Sequence, residues 1–191
     1  MDKYSDINKS FSLSNYHVLF FDTEFTGLVK NTDLISIGIV DSLTDDVFYA
    51  EFTDYNEELI DKWLEDNVIA NLNIDKDIIL DNNFSIKGDT KYIVDKLLYW
   101  LDKIGSNKPF LFISDCMSYD WVLFNELFGG AKSIPENIFY IPYDICTLFM
   151  ERGIDPDINR EEYAEIEDME GKHNSLHDAK VIKKCFNKLV K

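Results

Sequence analysis

The most constraining stretch of this sequence is an apolar run, at residues 17–28, that ends in two carboxylates and a glycine. Alternate side chains of an extended chain share a face, so Phe20, Asp22 and Glu24 lie on one side of a strand. Apolar residues occupy both faces, which predicts a strand that is buried on both sides. Two neighbouring carboxylates at its end repel each other and resist desolvation, and a bound divalent metal would relieve both penalties.

Length and composition predict one domain over residues 1–191, because 46% of the residues are hydrophobic and can form a core. The sequence has no signal peptide and no apolar run of transmembrane length, so we expect a soluble, cytoplasmic protein. Its three cysteines lie far apart without metal-ligand spacing, which favours free thiols over disulfides or a zinc site. The polar residues 1–14 are expected to form a loosely ordered arm.

The formal net charge of −17 argues against a long electrostatic footprint on duplex DNA. A nucleic-acid substrate would therefore be short or single-stranded. The acidity is also compatible with a role in solubility alone.

The hydrophobic pattern predicts an α/β fold in which a three-stranded antiparallel meander is followed by alternating helices and strands. We expect a mixed five-stranded sheet with helices on both faces, residues 73–88 as a loop and residues 153–172 as a surface segment. After the first strand, further strands are predicted at 33–41, 47–52, 108–113 and 137–143, and helices at 55–72, 90–104, 119–128, 144–152 and 175–190.

A third carboxylate, Asp120, stands where a buried strand gives way to a helix. Ligands of open α/β sheets gather at the carboxyl ends of strands, which makes Asp120 a candidate site residue. Asp115 lies closer to the strand and competes for the same role. Asp120 could instead cap its helix or interact with the helix dipole.

The fourth carboxylate, Asp178, lies at the inner edge of the apolar stripe of the last helix, where an unpaired charge is costly. The alternative is structural, because Ser175 and Asp178 match a capping box. His173 precedes Asp178 by five residues, and a histidine in such a loop can equally be an ordinary surface residue. His17 is given no role.

Together these residues resemble the three motifs of the DEDDh 3′–5′ exonuclease family, in sequence order over nearly the whole chain. The resemblance implies an RNase H-like fold, two Mg²⁺ or Mn²⁺ ions and release of nucleoside 5′-monophosphates from a 3′ end. It makes Asp22, Glu24, Asp120 and Asp178 the metal ligands and His173 the general base. We expect the anionic surroundings to raise the pKa of His173.

Longer matches, such as Asp-Thr-Glu-Phe-Thr-Gly at residues 22–27, are similar to the compact stand-alone bacterial exoribonucleases of that family. They favour single-stranded or short RNA as substrate and are compatible with a homodimer. A DNA exonuclease of the proofreading or repair type and a non-catalytic nucleotide-binding module are the alternatives. One departure is Cys116, where many family members have an asparagine, so contacts to the 3′ end are expected to differ.

An exonuclease must also recognise the end of its substrate. Aromatic and apolar side chains near the first two motifs could stack on bases, and a glycine turn could bring the main chain close to the terminal hydroxyl. In so aromatic a chain, these side chains could equally belong to the core. The candidate substrate contacts are Phe25, Thr26, Gly27, Leu28, Tyr119 and Trp121.

Overall fold

The computed structural model describes residues 11–166 and 171–191. Strands in these residues are β1 (His17–Phe25), β2 (Leu34–Asp41), β3 (Val47–Phe52), β4 (Ile78–Leu80), β5 (Asn83–Gly88), β6 (Phe110–Ser114) and β7 (Tyr143–Asp144). Helices are α1 (Lys62–Asn67), α2 (Thr90–Ile104), α3 (Ser118–Glu126), α4 (Ile145–Glu151), α5 (Arg160–Tyr163) and α6 (Ser175–Leu189). Among the described residues, no helix combines the length and apolar composition needed to span a lipid bilayer.

The strands form one mixed sheet in the order β4-β5-β3-β2-β1-β6-β7. β1, β2 and β3 are the predicted antiparallel meander, and β6 adds to β1 in parallel. β7 follows in parallel to β6, while β5 pairs in parallel with β3 and in antiparallel with β4. The predicted mixed α/β sheet is therefore confirmed, but it has seven strands in the described residues and not five.

The two additional strands come from residues 73–88, which the sequence predicted as a loop. β4 is an exposed edge strand, and β5 buries only Phe84 and Ile86 among polar neighbours. Such short and half-polar strands give little hydrophobic signal, and pairing with β3 decides their conformation. The strand predicted at 137–143 is also shorter, because it contributes one isolated bridge at Ile138 before β7.

The helix predicted at 55–72 is broken into α1 and two flanking 3₁₀ turns, Glu57–Leu59 and Ile69–Asn71. Asn56 caps the 3₁₀ turn Glu57–Leu59 and Asp61 caps α1, and these two separate helix starts explain the interruption. Residues 153–172 are not only a surface segment, since they include α5. Most of the predicted arm at 1–14 lies outside the described residues, and its end forms a 3₁₀ turn.

Both faces of the sheet are covered, as predicted. α2 and α3 pack on the face that carries Phe21 and Phe48, whereas α4 and α6 pack on the face that carries Phe20 and Ile113. Alternate side chains of β1 thus pack into two separate hydrophobic cores, one on each face of the sheet.

A close contact at Gly38 places α6 beside the end of β1. Gly38 pairs with Asp22 across the sheet, and a Cβ atom at Gly38 would lie 2.4 Å from backbone atoms of Ser175 and Leu176. The Ser175 and Ser36 hydroxyls, 2.9 Å apart, hydrogen-bond at the same contact. Because glycine lets the first turn of α6 lie directly on β2, Asp178 is brought towards Asp22.

Candidate metal centre

Asp22 and Glu24 lie half-buried at the end of β1, as predicted. Burial, and then the charges of Asp120, Asp178 and Glu24, raise the pKa of Asp22 well above its ordinary value. Burial and the charges of Asp178 and Asp120 raise the pKa of Glu24 to about 8. The ends of β1, α3 and α6 therefore concentrate negative charge at one place.

Asp120 is buried, and two hydroxyl groups hold its carboxylate. Thr23 Oγ1 donates to Oδ1 at 2.5 Å, and Ser114 Oγ donates to Oδ2 at 2.8 Å. Burial raises the pKa of Asp120 to about 6 in spite of these bonds. The capping alternative is wrong, because the N-cap of α3 is Met117 and it makes no side-chain cap bond. Thr23, the residue between the first two carboxylates, thus orients the third.

Asp178 contacts the loop that carries His173. Its Oδ2 accepts the backbone N–H of His173 at 3.0 Å, while Asn174 caps α6. The Ser175 capping box is therefore not formed. Burial, and next the charge of Glu161, raise the pKa of Asp178 to about 7. Ligand atoms of Glu24, His173 and Asp178 lie within 4.8 Å of one another.

The pKa of His173 is lowered from its ordinary value, first by burial and then by the charge of Lys172. The expected rise was wrong, because the desolvation of the imidazolium and the repulsion of Lys172 outweigh the attraction of Glu161. The Trp63 ring contacts the His173 ring nearly edge-on, with centroids 5.1 Å apart. Asn71 Nδ2 also donates to the Lys172 carbonyl at 2.9 Å, so the segment from α1 to residue 71 supports the histidine loop.

Two residues at this site were missed by the sequence analysis. Trp63 lies within the helix predicted at 55–72, where it fits the apolar spacing, yet its side chain is 53% exposed. Glu161 lies in the acidic segment predicted to be at the surface, yet it is only 4% exposed. Ligand atoms of Glu161, His177 and Asp178 lie within 4.8 Å of one another. No local pattern distinguishes a buried acid in an acidic run, and its neighbours become visible only in the fold.

The candidate substrate contacts next to the first motif follow directly after Glu24 at the end of β1. The Phe25 ring stacks on Tyr119 with centroids 5.3 Å apart and an interplanar angle of 18°. Gly27 has a φ of +151°, which favours glycine, and the Leu28 side chain is 76% exposed. Thr26 is buried, and its Oγ1 accepts the backbone N–H of residue 33 at 2.9 Å.

Trp121 faces the core under α3. Its ring stacks on Phe124 with centroids 5.3 Å apart, and it contacts Phe21 and Phe112. These contacts favour the packing interpretation for Trp121 over a contact with substrate.

The donor set fits hard divalent cations, which prefer carboxylate and water oxygens. Among the described residues, none of the four carboxylates forms an ion pair with a lysine or arginine. Burial is the first cause of the raised pKa values of Asp120, Asp178 and Glu24, and the charge of Lys172 offsets the rise at Asp178 only in part. An open cleft of about 600 Å³, lined by Asp22, His173 and Asp178 among others, gives access to this centre.

The family model described as the Rv2179c-like 3′–5′ exoribonuclease domain matches residues 17–190. The chain belongs to this family. The match spans the four carboxylates and His173, and it confirms the predicted resemblance to 3′–5′ exonucleases. No curated protein is significantly similar in sequence to the chain.

Solved structures of nucleases share the fold. The crystal structure of cell-death related nuclease 4 (CRN-4) superposes with a TM-score of 0.62 at 15% identity, covering 92% of this chain and 64% of that chain. The catalytic unit of Neurospora crassa Pan2, with protease and nuclease domains, gives a TM-score of 0.54 at 18% identity, covering 98% and 28%. Identities this low show the fold alone, and the predicted RNase H-like class is confirmed.

Proposed function

We propose that this family member is a metal-dependent 3′–5′ exoribonuclease that shortens single-stranded or short RNA and releases nucleoside 5′-monophosphates. The observation that carries the proposal is the convergence of four carboxylates without ion pairs beside His173, within a chain of the exoribonuclease family. An anionic centre of this kind is costly to maintain unless it binds cations.

The residues that would hold two Mg²⁺ or Mn²⁺ ions are Asp22, Glu24, Asp120 and Asp178. Two ions held there would supply activation of the attacking water and stabilisation of the leaving 3′ oxygen. Thr23 and Ser114 keep the Asp120 carboxylate oriented, because each of its oxygens accepts one hydroxyl hydrogen bond.

His173 would accept the proton of the attacking water. A general base must be unprotonated at the working pH, and the lowered pKa of His173 favours the neutral imidazole. The backbone bond to Asp178 and the contact with Trp63 limit the positions that the imidazole can reach. The base is thereby oriented before substrate binds.

The substrate end would lie on the rim formed by residues 25–28 and Tyr119. The main chain of Thr26 and Gly27 would meet the terminal hydroxyl, while Leu28 and the stacked rings of Phe25 and Tyr119 would pack on bases. Trp121 would support this rim from the core side. A homodimer and a cytoplasmic location stay predictions.

The proposal is tested with a single-stranded RNA labelled at its 5′ end, a copy labelled at its 3′ end, and a DNA strand of the same sequence, each with Mn²⁺. We expect a ladder of shortened 5′-labelled RNA, immediate release of labelled mononucleotide from the 3′ end, and no turnover by Asp22→Asn. Cleavage within the strand or full activity of Asp22→Asn would contradict the mechanism. A faster rate on the DNA strand would favour the DNA exonuclease, and no cleavage at all would favour the non-catalytic module.

A further inference from the structure

Beside the metal centre, Asp115 and Arg160 form an ion pair that the proposed chemistry does not use. The guanidinium donates twice to the carboxylate, from Nε to Oδ2 at 2.5 Å and from Nη2 to Oδ1 at 3.0 Å. Both side chains are largely buried, with 15% of Arg160 and 20% of Asp115 exposed. Such two-pronged geometry is specific to arginine and a carboxylate.

The guanidinium also donates to two backbone carbonyls of its own segment. Nη1 donates to the Ile158 carbonyl and Nη2 to the Pro156 carbonyl, each at 2.6 Å. The guanidinium carbon lies 4.6 Å from the centroid of the Phe149 ring. An ammonium group could not make these bonds in a plane while also stacking on an aromatic ring. The contacts around Arg160 therefore favour arginine over lysine at this position.

Asp115 cannot readily serve as a metal ligand, although it lines the same cleft as Asp22. Its Oδ1 accepts from Arg160 and also from the Cys146 thiol at 2.9 Å, and its Oδ2 accepts from Nε. The competition between Asp115 and Asp120 that the sequence left open is thus resolved by Arg160, which binds one of the two carboxylates.

The ion pair joins the two halves of the metal centre. On one side, Asp115 directly follows Ser114, whose hydroxyl holds Asp120. On the other side, Arg160 directly precedes Glu161, whose charge acts on Asp178. The Cys185 thiol of α6 also contacts the Arg160 carbonyl at 3.4 Å.

We propose that Asp115 and Arg160 form a positioning clamp, which fixes Asp120, on α3 and held by Ser114 at the end of β6, relative to Asp178 on α6 and so sets the affinity of the centre for divalent metal. The inference rests on the proposed function, because it takes these carboxylates as the metal ligands. Arg160 acts through geometry and not through its charge alone, since its bonds to Pro156 and Ile158 fix the guanidinium within its own segment and its paired bonds to Asp115 hold that segment against the end of β6.

The test is calorimetric titration of Mn²⁺ into the substrate-free protein, with Arg160→Lys as the principal variant. Lysine keeps the charge but loses the paired hydrogen bonds, so we expect the affinity for Mn²⁺ to fall about 10–100-fold, as for other residues that orient metal ligands. Lys183→Met is the matched control. Lys183 is equally buried and ion-paired to Asp45, on the helix that carries Asp178, but it does not touch the centre. We expect its affinity for Mn²⁺ to equal that of the wild type.

Asp115→Asn provides a second variant that keeps the size and one acceptor of the carboxylate. Circular dichroism and thermal unfolding identify the folded variants before titration. Wild-type affinity in folded Arg160→Lys and Asp115→Asn would overturn the clamp, and so would loss of the fold in both, because the pair would then be purely structural. The titration contains no RNA, so a protein that binds Mn²⁺ as expected but fails to degrade RNA would contradict the proposed activity and not the clamp.

Discussion

Acidic side chains lie beside both ends of strand β1, but only the one beside its start has partners that lower its pKa. At the start of the strand, Asp41 is 1% exposed and its Oδ2 lies 2.7 Å from His17 Nε2. Burial would raise the pKa of Asp41, yet the hydrogen bonds from His17 and the Leu43 N–H hold it below its ordinary value. At the other end, Asp22 and Glu24 have raised pKa values.

The comparison separates a structural acid from a candidate functional one. A buried carboxylate that accepts enough hydrogen bonds or meets a cation stabilises the fold around it. A group of carboxylates without such partners destabilises the fold, and the usual reason to find one in a cleft is that something positive binds there. Asp41, like Asp115 with its arginine, belongs to the first kind. In the described part of the chain, Asp22 and Glu24 belong to the second, and the pKa values of Asp120 and Asp178 stay raised in spite of the hydrogen bonds that they accept.

The largest expected difference is between Asp22→Asn and Asp41→Asn. Asp22→Asn should reduce exonuclease activity by about a thousandfold or more, since metal ions supply several kcal/mol of transition-state stabilisation. Asp41→Asn should lower stability by about 1–3 kcal/mol, because it removes a buried charged hydrogen bond, while activity stays within a few-fold of the wild type. RNA degradation rates and urea unfolding curves measure the two effects. Equal losses of activity in Asp22→Asn and Asp41→Asn would contradict the assignment of Asp41 as a structural acid and of Asp22 as a metal ligand.

Replacement of the proposed base should give the next largest effect. His173→Ala should lower activity about 10²–10⁴-fold, the usual contribution of a positioned general base. The lowered pKa of His173 places the acidic fall of wild-type activity below pH 6.5, the ordinary value for the imidazole. The variant should lose that limb of the pH–rate profile. A variant that keeps the same acidic limb would show that another group is titrating.

A smaller effect is expected from Thr23→Val, which keeps the shape of the side chain but removes one hydroxyl bond to Asp120. Activity and Mn²⁺ affinity should fall about tenfold, since the metal ligand loses an orienting partner. The half-saturating Mn²⁺ concentration measures the change. An effect as large as that of Asp22→Asn would mean that Thr23 does more than orient Asp120.

The last comparison concerns the pH dependence of metal-free stability. The folded protein binds protons at Glu24, Asp178 and Asp120 more tightly than the unfolded chain does, with pKa values of about 8, 7 and 6 against ordinary values of 4.5 and 3.8. Protonation of these three groups therefore stabilises the fold fully below about pH 4, and this stabilisation is lost as the pH rises to about 8. The Tm should fall by about 2–4 °C per kcal/mol lost over this range.

Saturating Mn²⁺ and Asp178→Asn should each reduce this fall in Tm, because the first neutralises the cluster and the second removes one of its charges. Differential scanning calorimetry between pH 5 and 9 measures it. A metal-free Tm that rises with pH would contradict the raised pKa values. A large drop in the Tm of Asp178→Asn would show that the bond to the His173 backbone matters more than charge repulsion.

The sequence was sufficient to predict those site residues whose position follows from the hydrophobic pattern of their own strand or helix. Asp22 and Glu24 end an apolar strand, and Asp178 lies on an amphipathic helix, so periodicity alone predicts where each one points. The partners of these residues could not be predicted. Glu161 looks like one acid among many until α5 buries it, and Gly38 looks like any strand residue until α6 lies directly on it.

The errors in the predicted fold have the same cause, because the missed features depend on contacts between distant parts of the chain. β4 and β5 are short and partly polar, so their place in the sheet follows from pairing with β3 and not from their own composition. The pKa of His173 depends on burial beside Trp63 and Lys172, which only the packed loop reveals. Local patterns therefore located the chemistry, while long-range packing determined its electrostatics.

The most direct test of the candidate metal centre is a calorimetric titration of Mn²⁺ into the metal-free protein at pH 7. The titration compares the wild type, Asp22→Asn and Asp41→Asn, and it is repeated in buffers of different ionisation enthalpy. Because Glu24 and Asp178 have pKa values of about 8 and 7, metal binding to the wild type and to Asp41→Asn should release protons, and Asp22→Asn should bind far more weakly. Equal binding by all three proteins, or binding without proton release, would contradict the account.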